Sequence, residues 1–286
     1  MTIDSTFAQN STIADLAHHH IGSAEGRRVW VLHGIMGSRQ NWSRFARHLS
    51  LVSPELSITT IDLRCHGETP YLDGPHTVSA CVGDLIAIGE RIAHPQVLIG
   101  HSFGGKVALS YAAHASRQEG RLGLERVWTL DSPLEASLRP GHGEVARVIE
   151  ACGSIQMPQP SRATVIEYFT TRGFSLGIAQ WMTTNLKRVS TELHPEGGFE
   201  WRFDLEGIKA LIADYWRVDG WSLLSHLDPE LKVHLLRAER GLRWTAEDEE
   251  RLSSDFPQIE APLLRDSGHW VHIEQLEALI KVLGDL

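Results

Sequence analysis

Short apolar runs alternating with stretches of helical period constrain this 286-residue chain more than any other feature. "VWVLH" (29–33), "LSITTID" (56–62), "QVLIG" (96–100) and "ERVWTLD" (125–131) are compact and nearly continuous in apolar character. Strands buried on both faces read this way. Between them, residues 39–50 set Trp42, Phe45, Ala46 and Leu49 at helical spacing. Residues 77–94 do the same with Val78, Cys81, Val82, Leu85, Ile88 and Ile92, and a third helix is expected over 103–117. Parallel neighbours need a crossover long enough to hold a helix, so this alternation predicts an α/β fold: a mostly parallel sheet with helices on both faces.

The rhythm stops near residue 134. From 134 to 229 the chain looks helical, holds several Trp and shows no clear strand. "KVHLLR" (232–237) and "IEAPLL" (259–264) then restore the strand pattern, and a helix over 272–283 closes the chain. The expected division is a core from 1–133 and 230–286, interrupted by a helical cap over 134–229. The length suits one α/β domain carrying such an insertion.

With 27 Lys and Arg against 36 Asp and Glu, the net charge of −9 argues against nucleic acid as a partner. Cys65, Cys81 and Cys152 are odd in number and widely spaced with no CxxC pair, so neither a disulfide framework nor a zinc site is expected. A reducing, cytoplasmic setting follows. No apolar run reaches the roughly 18 residues that span a bilayer, and "MTIDSTFAQN" lacks the basic start of a secretory signal. The histidines at 18–20 share no single face of a regular element, so they are expected in a polar loop or strand edge, not around a metal. No glycine-rich dinucleotide or Walker loop occurs, so no cofactor is expected. The chain is expected to act as a monomer or homodimer on a small molecule.

The chemistry starts at "VLIGHSFGGK" (97–106). A Gly-x-Ser-x-Gly pattern between a strand and a helix has the setting of a nucleophile elbow. The sharp turn holds Ser102 in strained geometry, and Gly100 and Gly104 allow close backbone approach. "LHGIMGS" (32–38) places a loop behind the first strong strand. Its Ile35 N–H, with that of Phe103, would form an oxyanion hole. "DSGHWVHIE" (266–274) follows the last strand, and its His269 is the candidate general base. His272, at the start of the last helix, is expected to be structural.

Together, "HGIMGS", "DLRCHGET", "IGHSFGGK" and "DSGHWVHIE" resemble the α/β-hydrolase superfamily, with its order of Ser, acid and His. "DLRCHGETP" (62–70) resembles the Asp-x-Arg-Asn-His-Gly-x-Ser-Pro segment of small acyl esterases of bacteria and mitochondria, departing at Cys65 and Thr69. "GHW" (268–270) matches the same group. The resemblance implies a catalytic acid, usually after the strand that follows the cap. There the usual Gly-x-x-Asp is absent, and Arg240 or Gly241 holds its place. Two acids remain in view. Asp131, ending the strand before the cap, is favoured, since some members carry the acid there. Glu239 is the alternative. Asp248 and Asp266 are expected to be structural, as are Asp62 and Arg64, the latter by ion pairing that ties down its loop.

The function implied is a serine hydrolase cleaving a carboxylic ester or thioester through an acyl-enzyme on Ser102. The same residues would also serve C–C, amide, lactone or perhydrolase chemistry, and a non-catalytic binding protein is the remaining alternative. Candidate substrate contacts are His33, Trp181, Trp216 and Trp270, aromatic faces being suited to an apolar acyl or aryl group. Trp201 and Trp221 are expected to hold the cap together, and Met182 and Phe169 to join either the substrate contacts or this packing. "LKR" (186–188) reads as a solvated face, not a phosphate pocket.

Overall fold

The computed structural model describes residues 12–136, 143–191, 194–241, 244–284 and 286. Seven strands form one sheet: β1 (His18–Gly22), β2 (Arg27–Leu32), β3 (Leu56–Ile61), β4 (Val97–His101), β5 (Arg126–Leu130), β8 (Lys232–Ala238) and β9 (Leu263–Leu264). Their order is β1-β3-β2-β4-β5-β8-β9. All pairings are parallel except β1 with β3, so the α/β expectation holds. The three histidines lie on β1, the antiparallel edge strand. The last strand is shorter than "IEAPLL" suggested, with one isolated bridge from His234 to Glu260 ahead of it.

Side chains alternate between two cores, as the period of a strand requires. Val29, Val31, Ile99 and Leu130 face α1 (Ser43–Val52) and α11 (Leu276–Leu283). Trp30, Leu32, Leu98 and Val127 face α2 (Val78–Ile92) and α3 (Phe103–Ala115). Fully burying each such aliphatic side chain is worth about 1.5–3 kcal/mol, which makes β2, β4 and β5 a stiff platform for whatever sits at their carboxyl ends. Two further helices flank the last strands, α9 (Ala246–Asp255) and α10 (Val271–Glu274).

Between β5 and β8 the chain forms α4 (Glu144–Ser154), α5 (Arg162–Thr170), α6 (Leu176–Thr184), β6 (Leu186–Thr191), β7 (His194–Trp201), α7 (Leu205–Tyr215) and α8 (Gly220–Leu224). The antiparallel β6–β7 hairpin corrects the strand-free reading of this stretch. The segment leaves and returns at one place: the Gly220 N–H donates to the Leu134 carbonyl at 2.6 Å. Lys106, fully buried on α3, donates to the carbonyls of Glu135 (2.7 Å), Val218 (2.9 Å) and Tyr215 (3.3 Å). No helix among the described residues is long and apolar enough to cross a membrane.

Candidate active site

Ser102 stands where β4 turns into α3, with φ +51°, a left-handed conformation that a residue with a side chain adopts only at a cost. The turn is held from several sides. Its N–H donates to the Leu130 carbonyl (2.9 Å), and its carbonyl accepts from Ser132 Oγ (2.7 Å) and the Gly105 N–H (2.9 Å). A Cβ on Gly100 would collide with the backbone of Gly104, and one on Gly104 with the carbonyls of Leu32 and His33. Both glycines are therefore needed for the strand, the turn and the neighbouring loop to meet. The turn feeds a 13-residue helix, whose N-terminal dipole favours negative charge.

His269 reaches the same place from the loop after β9. Its Nδ1 lies 2.6 Å from Asp131 Oδ2. A carboxylate there is an acceptor, so Nδ1 carries the proton and Nε2 keeps the lone pair. Asp131 ends β5, is buried, and has φ +46°. Its own N–H donates to the Leu236 carbonyl (2.8 Å), and Oδ1 accepts from the Ala238 N–H (3.2 Å). A Cβ on Gly241 would collide with this carboxylate. The position where the usual acid was sought is thus the space that Asp131 occupies.

Glu239 is elsewhere. Its Oε2 accepts from the Asp266 N–H (2.8 Å), and Arg265 approaches Oε1 at 3.8 Å. The structure places it as a brace of the loop before His269, with its oxygens turned to that loop. Arg240 contacts the Asp266 carbonyl (2.8 Å) and Glu274 (3.6 Å), not Glu239. Asp248 closes a capping box with Thr245 at the start of α9.

Two more histidines frame the ring of His269. His101, the variable residue before the serine, donates from Nε2 to the His269 carbonyl (2.8 Å) and so anchors that loop. His272 is 5% exposed and stacks on Trp42, 4.1 Å between centroids. Neither of its ring nitrogens has a hydrogen-bond partner among the described residues. Burial, then the charge of His269, pushes its pKa down to about 3.

The loop carrying Ile35 is strapped to the loop after β3 by reciprocal bonds. His33 Nε2 accepts from the Leu63 N–H (3.0 Å), and His66 Nε2 accepts from the Met36 N–H (3.0 Å). The remaining nitrogens face the Gly34 carbonyl (2.8 Å) and the Arg64 carbonyl (2.8 Å), which fixes both rings as neutral Nδ1–H tautomers. Burial lowers both pKa values. From the segment between β5 and β8, buried Asn185 donates Nδ2 to the Met36 carbonyl (2.7 Å). Met36, at φ +56°, is thus held at both its N–H and its carbonyl. The N–H groups of Ile35 and Phe103 donate to no described residue.

A cavity of about 370 Å³ joins these groups. Ser102, His269, Gly34 and Ile35 form one side; Val145, Val148, Ile178, Trp181 and Trp270 form an apolar wall; Glu144, Arg240 and Glu274 also border it. Trp181 and Trp270 lie 5.8 Å apart by ring centroid. Trp216 does not border this cavity: at the C-terminal end of α7, it rests edge-on against Tyr215 beside Lys106. The expected substrate contact at Trp216 is thus not among the residues brought to this cavity. His33 borders the cavity, but both of its ring nitrogens are spent on backbone, so it shapes the loop instead of binding through the ring. Trp201 and Trp221 lie in aromatic clusters with Phe203 and Phe256.

The loop after β3 is tied down by ion pairing, as expected of Arg64. Arg64 is wholly buried and forks onto Asp84 of α2, with both contacts at 2.7 Å. Asp62 instead pairs with Arg39 and accepts from the Glu68 N–H (2.9 Å). Asn185, His66 and Asp84 carry no local motif pointing to these roles. His101 lay inside the serine motif at a position where the pattern allows any residue.

The arrangement matches known proteins along nearly all its length. Residues 31–282 match the model of the alpha/beta hydrolase family. The chain is 27% identical over 297 residues to the sn-1-specific diacylglycerol lipase ABHD11 of Xenopus laevis, covering 97% of this chain and 88% of that one. It is 25% identical over 260 residues to the esterase YbfF of Escherichia coli, covering 89% and 91%. A solved marine microorganism esterase, 19% identical, superposes with a TM-score of 0.78 over 94% of this chain and 98% of that one, a likeness of fold. With a match running from the first central strand to the last helix, the chain belongs to the alpha/beta hydrolase family.

Proposed function

We propose that the chain is a serine hydrolase of carboxylic esters or thioesters, with Ser102 as nucleophile, His269 as base and Asp131 as orienting acid. One observation carries the reading: the 2.6 Å contact from His269 Nδ1 to Asp131, beside a strained serine in the same cavity. Ser102 Oγ attacks the acyl carbon as His269 Nε2 takes its proton. The Ile35 and Phe103 N–H groups receive the oxyanion. The alcohol or thiol leaves with the proton from His269, and water, activated by the same ring, releases the acid. The segment over 134–229 acts as a cap: its Val145, Val148, Ile178 and Trp181, with Trp270, offer the apolar surface on which an acyl chain lies. The names of the relatives, a diacylglycerol lipase and an esterase, support an ester substrate. The Asp131 contact argues against a non-catalytic binding protein. The odd count and wide spacing of the cysteines support a reducing, cytoplasmic setting.

A fluorophosphonate probe and a p-nitrophenyl ester series test this. The expected result is covalent labelling lost in Ser102→Ala, with ester hydrolysis well above the buffer rate. No labelling of the intact protein, or equal labelling of Ser102→Ala, overturns the proposal. Labelling at Ser102 with no ester hydrolysis moves the reaction to amide, lactone or C–C chemistry.

A further inference from the structure

Cys65, His76 and Asp204 are 11 and 128 positions apart in sequence, yet their donor atoms lie within 4.8 Å of one another. Cys65 Sγ is 3.2 Å from His76 Nδ1, and His76 Nε2 is 3.9 Å from Asp204 Oδ2. We infer that these three side chains form a binding site for one divalent transition-metal ion of the zinc class, at the seam between the loop after β3 and the start of α7.

The donor set is the first reason. A thiolate, an imidazole and a carboxylate are the ligands zinc takes, and three protein ligands leave the fourth tetrahedral position open. Arms of about 2.0–2.3 Å would put tetrahedral donors roughly 3.3–3.6 Å apart. The three donors now lie within 4.8 Å of one another, and His76, whose Nδ1 faces Cys65 while Nε2 faces Asp204, would turn to offer one nitrogen to the ion. The second reason is preorganisation. The Asp204 N–H donates to the Cys65 carbonyl (3.0 Å), which joins the two loops that carry the outer donors. Asp204 Oδ1 accepts from the Glu206 N–H (3.1 Å), leaving Oδ2 turned toward His76. Gly207 passes directly over the cluster: a Cβ there would collide with Cys65 Sγ and crowd Asp204 Oδ2. Access is the third. Cys65 and Asp204 border a crevice of about 620 Å³ shared with Glu68 and Arg202, distinct from the cavity of Ser102. Long spacing hid this set from a search for metal motifs, which is why none was expected from sequence.

Titration of the metal-free, full-length protein with Co²⁺, then Zn²⁺, tests the site. The expected result is one Co²⁺ per chain, with a thiolate-to-cobalt charge-transfer band and the visible bands of a tetrahedral ion, both bleached by Zn²⁺. Cys65→Ser should abolish the charge-transfer band, and Asp204→Asn should weaken Co²⁺ at least about tenfold, the effect of losing some 1.4 kcal/mol. Circular dichroism shows whether each variant is folded; Asp204, whose side chain is partly exposed, keeps the test decisive should Cys65→Ser fail to fold. Stoichiometric Co²⁺ without a thiolate band overturns the proposal, as does a band that survives Cys65→Ser or unchanged affinity in folded Asp204→Asn. Nitrogen-only binding at the histidines of β1 would show as the first of these.

Discussion

At position 241 the chain has no side chain, and the carboxylate of Asp131 takes the space a Cβ would need. The two positions are alternative homes for one acid. Asp131→Asn keeps the shape but removes the acceptor that sets the His269 tautomer, and kcat on a p-nitrophenyl ester is expected to fall about 10³–10⁴-fold. Glu239→Gln should leave kcat within about threefold, since its oxygens hold the Asp266 N–H and not the ring. Asp131→Gly combined with Gly241→Asp should recover part of the loss by moving the carboxylate across the gap. No recovery over Asp131→Gly alone would show that only the β5 position can orient the ring. That Ser102 and His269 would meet was legible because each sits in a short motif after a strand, and both border one cavity. The acid was less legible: position at a strand end favoured Asp131 over Glu239, but what distinguishes them is packing, the 2.6 Å contact of Asp131 with His269 against the bond of Glu239 to the Asp266 N–H.

Among the elements, the loop bearing Ile35 depends most on its neighbours. His66→Leu would strand the buried Met36 N–H, at a cost of about 1–3 kcal/mol of stability read by urea unfolding. His66→Gln, whose amide oxygen can accept from that N–H, should recover most of it. Asn185→Ala removes the donor to the Met36 carbonyl, and kcat is expected to fall up to about 10²-fold with KM little changed, because the proposed hole is displaced and not emptied. An unchanged kcat would mean that Met36 is held well enough from the core alone. Sequence patterns located both loops that bond here but not their reciprocal bonds, since two neutral histidines look no different from charged or exposed ones. The β6–β7 hairpin was missed for a related reason. Its first strand begins "LKR", with Lys187 paired across the hairpin to Glu200 (3.2 Å), and a polar two-stranded ribbon lacks the apolar signature of a buried strand.

For the molecule as a whole, buried neutral histidines make stability fall toward acid pH. Burial lowers the pKa of His33, His66, His101 and His272 below the ordinary 6.5. Above pH 6.5 these rings are neutral in folded and unfolded chains alike. Below it the unfolded chain takes up protons that the folded chain refuses, so stability falls as the pH drops, by up to about 1.4 kcal/mol per pH unit for each ring. His272→Phe should keep the stack on Trp42, remove two buried nitrogens without partners, and flatten the fall between pH 6.5 and about 3 by one proton's worth. Urea unfolding at pH 5 and pH 7 reads this; an identical pH slope in the variant would place the proton uptake on other groups. The layered sheet was legible because its alternation spans the chain, whereas the enclosure of four rings is a product of packing alone.

Asn185 also bears on how such a molecule is re-engineered. Its amide reaches from the inserted stretch to the peptide next to Ile35. A foreign insert grafted between Leu134 and Gly220 to widen the range of substrates would discard that amide. The chimera would then inherit a slower catalyst together with a new specificity, unless the donor segment supplied an equivalent amide at the same point.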